Sequence, residues 1–318
     1  MQKCEKDKRI IWSRLPVTFF TALFCCILWG SASPAIKIAY DLFRIDSSDT
    51  ASRIVLAGAR FMIAGLMTIV FGSLISQKPL FPTQKSSWKK ILILSLFQTV
   101  GQYYFFFMSL AHTTGVRGSI INASGNFLTI LFAVYLFRLE KMTFKKILGC
   151  IVGFSGIVLI LGGGNALTSG GAVTWAGEGA MIAADIFYAL SACCIKIFSK
   201  DDNPVVLSGF QFTLGGIFLF LIGIILGGSL TFYSMGCVWN LIYMGFISAG
   251  AYTLWGVLLK YNPVSRVSIL GFMNPVMGVL LSALFLGENR EAFSLTGLFA
   301  LILVSLGIII VNLQKERS

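Results

Sequence analysis

The chain has 318 residues, 56% of them hydrophobic and 12% charged, with a formal net charge of +12 and a mean hydropathy of +0.84. That composition lies outside the range of soluble domains, and the apolar runs are long enough to cross a bilayer. Ten helices of about 20 residues take up on the order of 200 residues, which leaves no room for a soluble catalytic domain.

In chain order, a charged tail at 1–14 leads into apolar spans at 15–40, 52–76, 89–111, 115–137 and 143–161. A linker at 162–174 follows, then spans at 175–199, 204–227, 236–259, 264–287 and 293–312 and a tail at 313–318. The run from Leu15 to Tyr40 is too long for the apolar region of a signal peptide, and nine spans come after it, so it reads as the first transmembrane helix. The glycine-rich stretch from Gly162 to Gly171 has no Lys-Ser or Lys-Thr behind it and is not a phosphate loop. The predicted fold is an all-α polytopic membrane protein of ten transmembrane helices.

The halves 15–161 and 175–312 repeat each other. WGSASPAIKIA (Trp29 to Ala39) returns 159 residues later as YALSACCIKIF (Tyr188 to Phe198), with Lys37 falling on Lys196. Gly58, Phe61 and Gly65 return as Gly209, Phe212 and Gly216 at a spacing of 151; Tyr104, Leu110, Asn126 and Glu140 return as Tyr252, Leu258, Asn274 and Glu288 at 148. Five spans per copy is an odd number, so the second copy enters the membrane the other way up, as in the inverted repeats of secondary transporters.

Basic residues set the orientation, because Lys and Arg gather in cytoplasmic loops. Counted from a cytoplasmic N-terminus, 18 of the 25 lie inside and four, Arg44, Arg53, Arg117 and Arg290, lie outside. Both termini are therefore expected in the cytoplasm, and the positive charge reflects topology in a lipid bilayer. A nucleic-acid partner would ask for basic residues interleaved with aromatics on one surface, which is not the pattern here. The seven cysteines show no disulfide framework or metal spacing, and the single His112 completes no zinc site. No metal and no cofactor is expected.

Charged and polar groups at membrane depth each need a reason. Lys37 and Lys196 fall near opposite interfaces at the ends of their helices, where they can snorkel and meet the negative end of a helix dipole, or make gating contacts. Asp185 lies ten residues into its helix from Trp175, about 15 Å deep and close to the midplane, and Arg60 sits at a similar depth. Two readings stand: an Arg60–Asp185 salt bridge, or a carboxylate that contacts a substrate or carries a coupling proton. Asp185 and Tyr188 share a helical face with Ala192 and map onto Cys26, Trp29 and Ser33. Further polar stripes are Ser119, Asn122, Asn126 and Thr129; Ser95, Gln98 and Gln102; and Ser248, Tyr252 and Trp255. Each stripe serves either interhelical hydrogen bonding or a wet cavity. The cavity reading takes Trp29, Ser33, Arg60, Gln98, Gln102, Asn122, Asn126, Asp185, Tyr188, Tyr252, Trp255 and Asn274 as lining.

With these residues in view, the chain resembles the EamA-type members of the drug/metabolite transporter superfamily over essentially all ten helices. The resemblance is carried by WGSASPAIK, by the Arg60-Phe61 pair in ARFMIAGL, and by NPVMGVLLSALFLGE from Asn274 to Glu288. It implies an inner-membrane carrier whose central cavity is lined mainly by the first four helices of each copy, with helices 5 and 10 outside. Phe127 stands where the family has proline, which argues against a kink in helix 4; Tyr188 replaces a tryptophan and Gln211 an arginine in the second copy. The expectation is a secondary active transporter of a small amino-acid-like or drug-like metabolite in the cytoplasmic membrane, an exporter working by alternating access. An importer or exchanger of the same fold is the alternative, and a homodimer is compatible with it. An intramembrane enzyme would need a clustered nucleophile or metal set, a channel a filter ring, and a receptor has no support.

Overall fold

The computed structural model describes residues 11–46, 48–162, 174–271, 273–287 and 294–312. The expected linker and tails fall largely outside these, as does Glu288, the repeat partner of Glu140. The described chain is helical. Its elements are α1 (Leu15–Leu42), α2 (Thr50–Ser76), α3 (Lys85–His112), α4 (Gly115–Leu136), α5 (Phe144–Gly162), α6 (Trp175–Phe198), α7 (Pro204–Ile225), α8 (Met235–Tyr261), α9 (Val264–Leu270 and Met273–Leu286) and α10 (Leu295–Asn312). Seven of them, α1 to α4 and α6 to α8, are long and apolar enough to cross a membrane. Their starts are written locally: Asp49 accepts the Ser52 N–H at 2.9 Å ahead of α2, Thr114 accepts the Arg117 N–H at 3.1 Å on α4, and Pro204 opens α7 behind Asn203.

The packing comes in matched pairs. Helix α1 lies against α8 and α9, while α6 lies against α3 and α4; α2 pairs with α7, and α5 with α10. The α2–α7 crossing is made of the glycines that the repeat shares. A methyl added at Gly216 would come within 2.6 Å of the Met62 backbone nitrogen, and one at Gly58 would fall on the Phe220 backbone. Without a hydrophobic drive between helices in lipid, this close backbone approach supplies the attraction. At the same crossing the repeat counterparts Phe61 and Phe212 stack at 5.3 Å.

Helix α1 and helix α6 run in opposite directions. Trp12, just before α1, accepts a hydrogen bond from Asn262 at the end of α8, whereas Glu178 in the first turn of α6 accepts one from Thr113 at the end of α3. Both α4 and α9 are broken in mid-course, at Asn122–Ala123 and around Gly271. The α4 break occurs without proline, against the expectation drawn from Phe127. That ring does something else: it seats against Gly153 of α5 and packs on Phe154 at 5.0 Å.

Outside the spans, Glu140 ties the end of α4 to the start of α9, accepting the Ser265 N–H at 3.0 Å and the Lys146 ammonium at 2.8 Å. Burial presses its carboxyl upward, but the bonds from Lys146 and Ser265 and the lysine's charge outweigh that and hold it below the usual carboxylate range.

Candidate functional site

The two breaks sit side by side at the centre of the bundle. In α4 the regular ladder gives way to short-range bonds, Ala123 N–H to Ile120 O at 3.1 Å and Asn126 N–H to Ala123 O at 3.2 Å. In α9 the counterpart is Asn274 N–H to Gly271 O at 3.0 Å. Backbone groups freed at membrane depth must find partners within the protein. At the α9 break the Cys26 thiol of α1 donates to Leu270 O at 3.5 Å and lies 3.9 Å from Gly271 O. At the α4 break Asp185 of α6 accepts the Ser124 hydroxyl at 2.5 Å, beside the first residue after the break. Cys26 and Asp185 are repeat counterparts, so each copy steadies the broken helix of the other.

Between the breaks lies a cavity lined by Trp29, Ala32, Gln102, Tyr103, Phe106, Asn122, Asn126, Tyr188, Tyr252, Gly271 and Asn274. Its wall is mostly rings and carboxamides, and among the described residues no charged side chain lines it. About 40 Å³ is open to water centres, room for about three waters, so a metabolite enters only if the walls move. Trp29 stands edge-on to both Tyr252 and Trp255, each at 4.9 Å. Tyr252 shares a 2.6 Å hydrogen bond with Tyr103 and accepts one from Gln102 at 3.0 Å. Trp29 and Tyr188, equivalent in the repeat, both face this space.

Seven of the twelve residues expected from sequence line the cavity: Trp29, Gln102, Asn122, Asn126, Tyr188, Tyr252 and Asn274. Trp255 and Asp185 stand one layer back, behind Trp29 and Tyr188. Ser33 is buried in α1 away from the lining. Gln98 lies in a separate knot between α3 and α7, where it accepts the Gln211 amide at 2.9 Å and Thr99 donates to the same side chain at 2.7 Å.

Arg60 does not pair with Asp185. It is fully buried, donates from Nε to Met244 O and Ser248 Oγ at 3.2 Å each, and lies over the rings of Phe61 and Tyr103 at 5.2 and 5.4 Å. The two groups share a depth but turn toward different helices, α8 and α4. Ala32, Tyr103, Phe106 and Gly271 were not anticipated; Tyr103 and Phe106 sit in an aromatic run whose members could as well have faced lipid.

A polar cavity at two helix breaks inside an apolar helical bundle defines a multi-pass membrane transporter. The chain belongs to the EamA-like transporter family, which matches it twice, over residues 17–162 and 175–313. It is 25% identical over 297 residues to a WAT1-related chloroplastic protein of Arabidopsis thaliana, covering 90% of this chain and 66% of that one, so it spans about two thirds of that relative's length. It is also 25% identical over 315 residues to a probable amino-acid metabolite efflux pump of Salmonella typhimurium, covering 94% of this chain and 96% of the pump. A solved crystal structure superposes with a TM-score of 0.67 at 17% identity, over 93% of this chain and 98% of the other, a likeness of fold alone.

Proposed function

We propose that the chain is a ten-span, five-plus-five inverted-repeat carrier of the cytoplasmic membrane, both termini inside, which exports a small amino-acid-like or drug-like metabolite by alternating access. The observation that carries this reading is the cavity at the two breaks, to which each half contributes an equivalent aromatic, Trp29 and Tyr188, and an equivalent amide, Asn126 and Asn274. Half-helix ends at a midplane site are how inverted-repeat carriers hold their cargo. The antiparallel course of α1 and α6 and the matched pairings of α1 and α6 with the opposite copy support the inverted arrangement. The name of the Salmonella relative supports export of an amino-acid metabolite.

Asp185 is the proposed coupling group. It is a buried carboxylate one helical turn from the cavity-lining Tyr188, and a proton arriving there would turn an acceptor into a donor at the α4 break. A thermal-shift screen of the purified protein against amino acids, polyamines, sugars and nucleosides should find the substrate class, since a ligand at 100 times its Kd stabilises by about 2.7 kcal/mol. Saturable counterflow of the hit in proteoliposomes tests the carrier reading; linear, non-saturating flux would replace it with a channel.

A further inference from the structure

Lys37 and Lys196 each reach the end of a neighbouring helix. Lys37 donates from Nζ to Thr113 O at 3.0 Å, at the C-terminus of α3. Lys196 donates to Leu259 O at 2.8 Å and Asn262 O at 2.6 Å, at the C-terminus of α8. The two lysines are repeat counterparts at a spacing of 159, and Thr113 and Asn262 are the residues that end the equivalent helices α3 and α8. Both acceptors are extended residues ending a helix, with ψ of 163° and 159°, and each returns its own N–H to the last turn, to Ser109 O and Leu258 O. Their carbonyls are among those that a helix end leaves without an intrahelical partner and that carry the negative end of its dipole.

Each bond crosses between packing groups. Helix α1 packs on α8 and α9, but its lysine reaches α3; α6 packs on α3 and α4, but its lysine reaches α8. The bonds also lie at opposite ends of the molecule. Asn262 meets the residues before α1, and Thr113 meets the first turn of α6. Both bonds are formed here, one beyond each end of the cavity.

We propose that Lys37 and Lys196 are the two gate latches of the transport cycle, each a charge-assisted bond from one packing group to a helix end of the other, and that opening toward either side breaks one and keeps its counterpart. On the topology above, Lys37 closes the outer face and Lys196 the cytoplasmic face. The proposal rests on the alternating-access reading for its consequence, but the latches can be measured without substrate.

The test is hydrogen–deuterium exchange on the full chain in lipid nanodiscs, comparing wild type with Lys37→Met and Lys196→Met, with Lys37→Arg and Lys196→Arg to keep a donor in place. Lys37→Met should speed exchange about tenfold or more around residues 109–114 and leave 258–262 as in wild type or slower; Lys196→Met should do the reverse. The arginine variants should stay close to wild type, and they carry the test if a methionine variant does not fold: arginine variants that fold yet open both ends refute the latch. Equal acceleration at both ends, or none at either, overturns the proposal. Proteoliposome counterflow on wild type is read separately, so loss of the latches leaves the carrier reading intact, and absence of counterflow does the opposite.

Discussion

Asparagine at Asp185 separates a coupling carboxylate from half of a structural ion pair. Breaking a buried salt bridge from one side costs about 3 to 5 kcal/mol, because the stranded charge stays in a low-dielectric interior. Here Asp185 has the Ser124 hydroxyl, and Arg60 has Met244 O and the Ser248 hydroxyl, with no partner in common. Asp185→Asn should therefore cost no more than one charge-assisted hydrogen bond, about 1.5 to 3 kcal/mol, and less where the asparagine oxygen keeps the Ser124 bond. Arg60→Gln should be costly by itself, since a bond to the Met244 carbonyl, a bond to the Ser248 hydroxyl and contacts with the rings of Phe61, Tyr103 and Phe107 go with it. Groups without shared partners add to within about 0.5 kcal/mol, so the double variant should show the sum of the two losses and no rescue. The assay is thermal unfolding of all four proteins in detergent, with counterflow and pH-driven flux in proteoliposomes. Asp185→Asn should lose the pH-driven flux and keep counterflow, which moves no net protons. A coupling energy above about 1 kcal/mol would show an ion pair after all, and wild-type pH dependence in Asp185→Asn would end the proton-carrier proposal.

Removing the ring that anchors α4 to α5, Phe127→Ala, should lower stability by about 3 to 5 kcal/mol, read as a drop in thermal midpoint. Gly58→Val and Gly216→Val should each deplete folded protein, because the new side chain meets the backbone of the facing helix; normal yields would show that α2 and α7 can separate. Glu140 has a depressed pKa, so its contribution is complete above the ordinary carboxylate range near pH 4.3 and fades as pH falls through its folded value. Glu140→Gln should thus be less stable than wild type at pH 7, and the gap should narrow on acidification; a gap that does not change with pH would rule out the charge as its source. Cysteines placed at the exposed positions Arg44 and Lys200, with native thiols replaced, test the topology in intact cells: an impermeant reagent should label the first and not the second.

The helical membrane class was legible because composition and run length decide it, and the paired halves were legible because the same small and polar residues return at fixed spacings. What escaped was rotation about the helix axis. Gln98 and Gln102 are one turn apart and should share a face, but residues Ser95–Gly101 of α3 form a π-helical stretch. The wider turn shifts the register, sending Gln98 to α7 and Gln102 to the cavity. Depth alone likewise put Arg60 beside Asp185, although their helices aim them apart. The α4 break is illegible for a related reason: position 127 carries no proline, whereas the break lies at Asn122–Ala123, where Asp185 of α6 holds Ser124. The matched sites then differ in one respect. At the α9 break a thiol donates to freed carbonyls, a neutral bond that a proton does not alter; at the α4 break a carboxylate accepts from a hydroxyl, and a proton alters it directly. A carrier whose halves were chemically identical would have no reason to respond to protons at one end of its cycle and not the other. The exchange of Cys26 for Asp185 across the repeat gives this one such a reason.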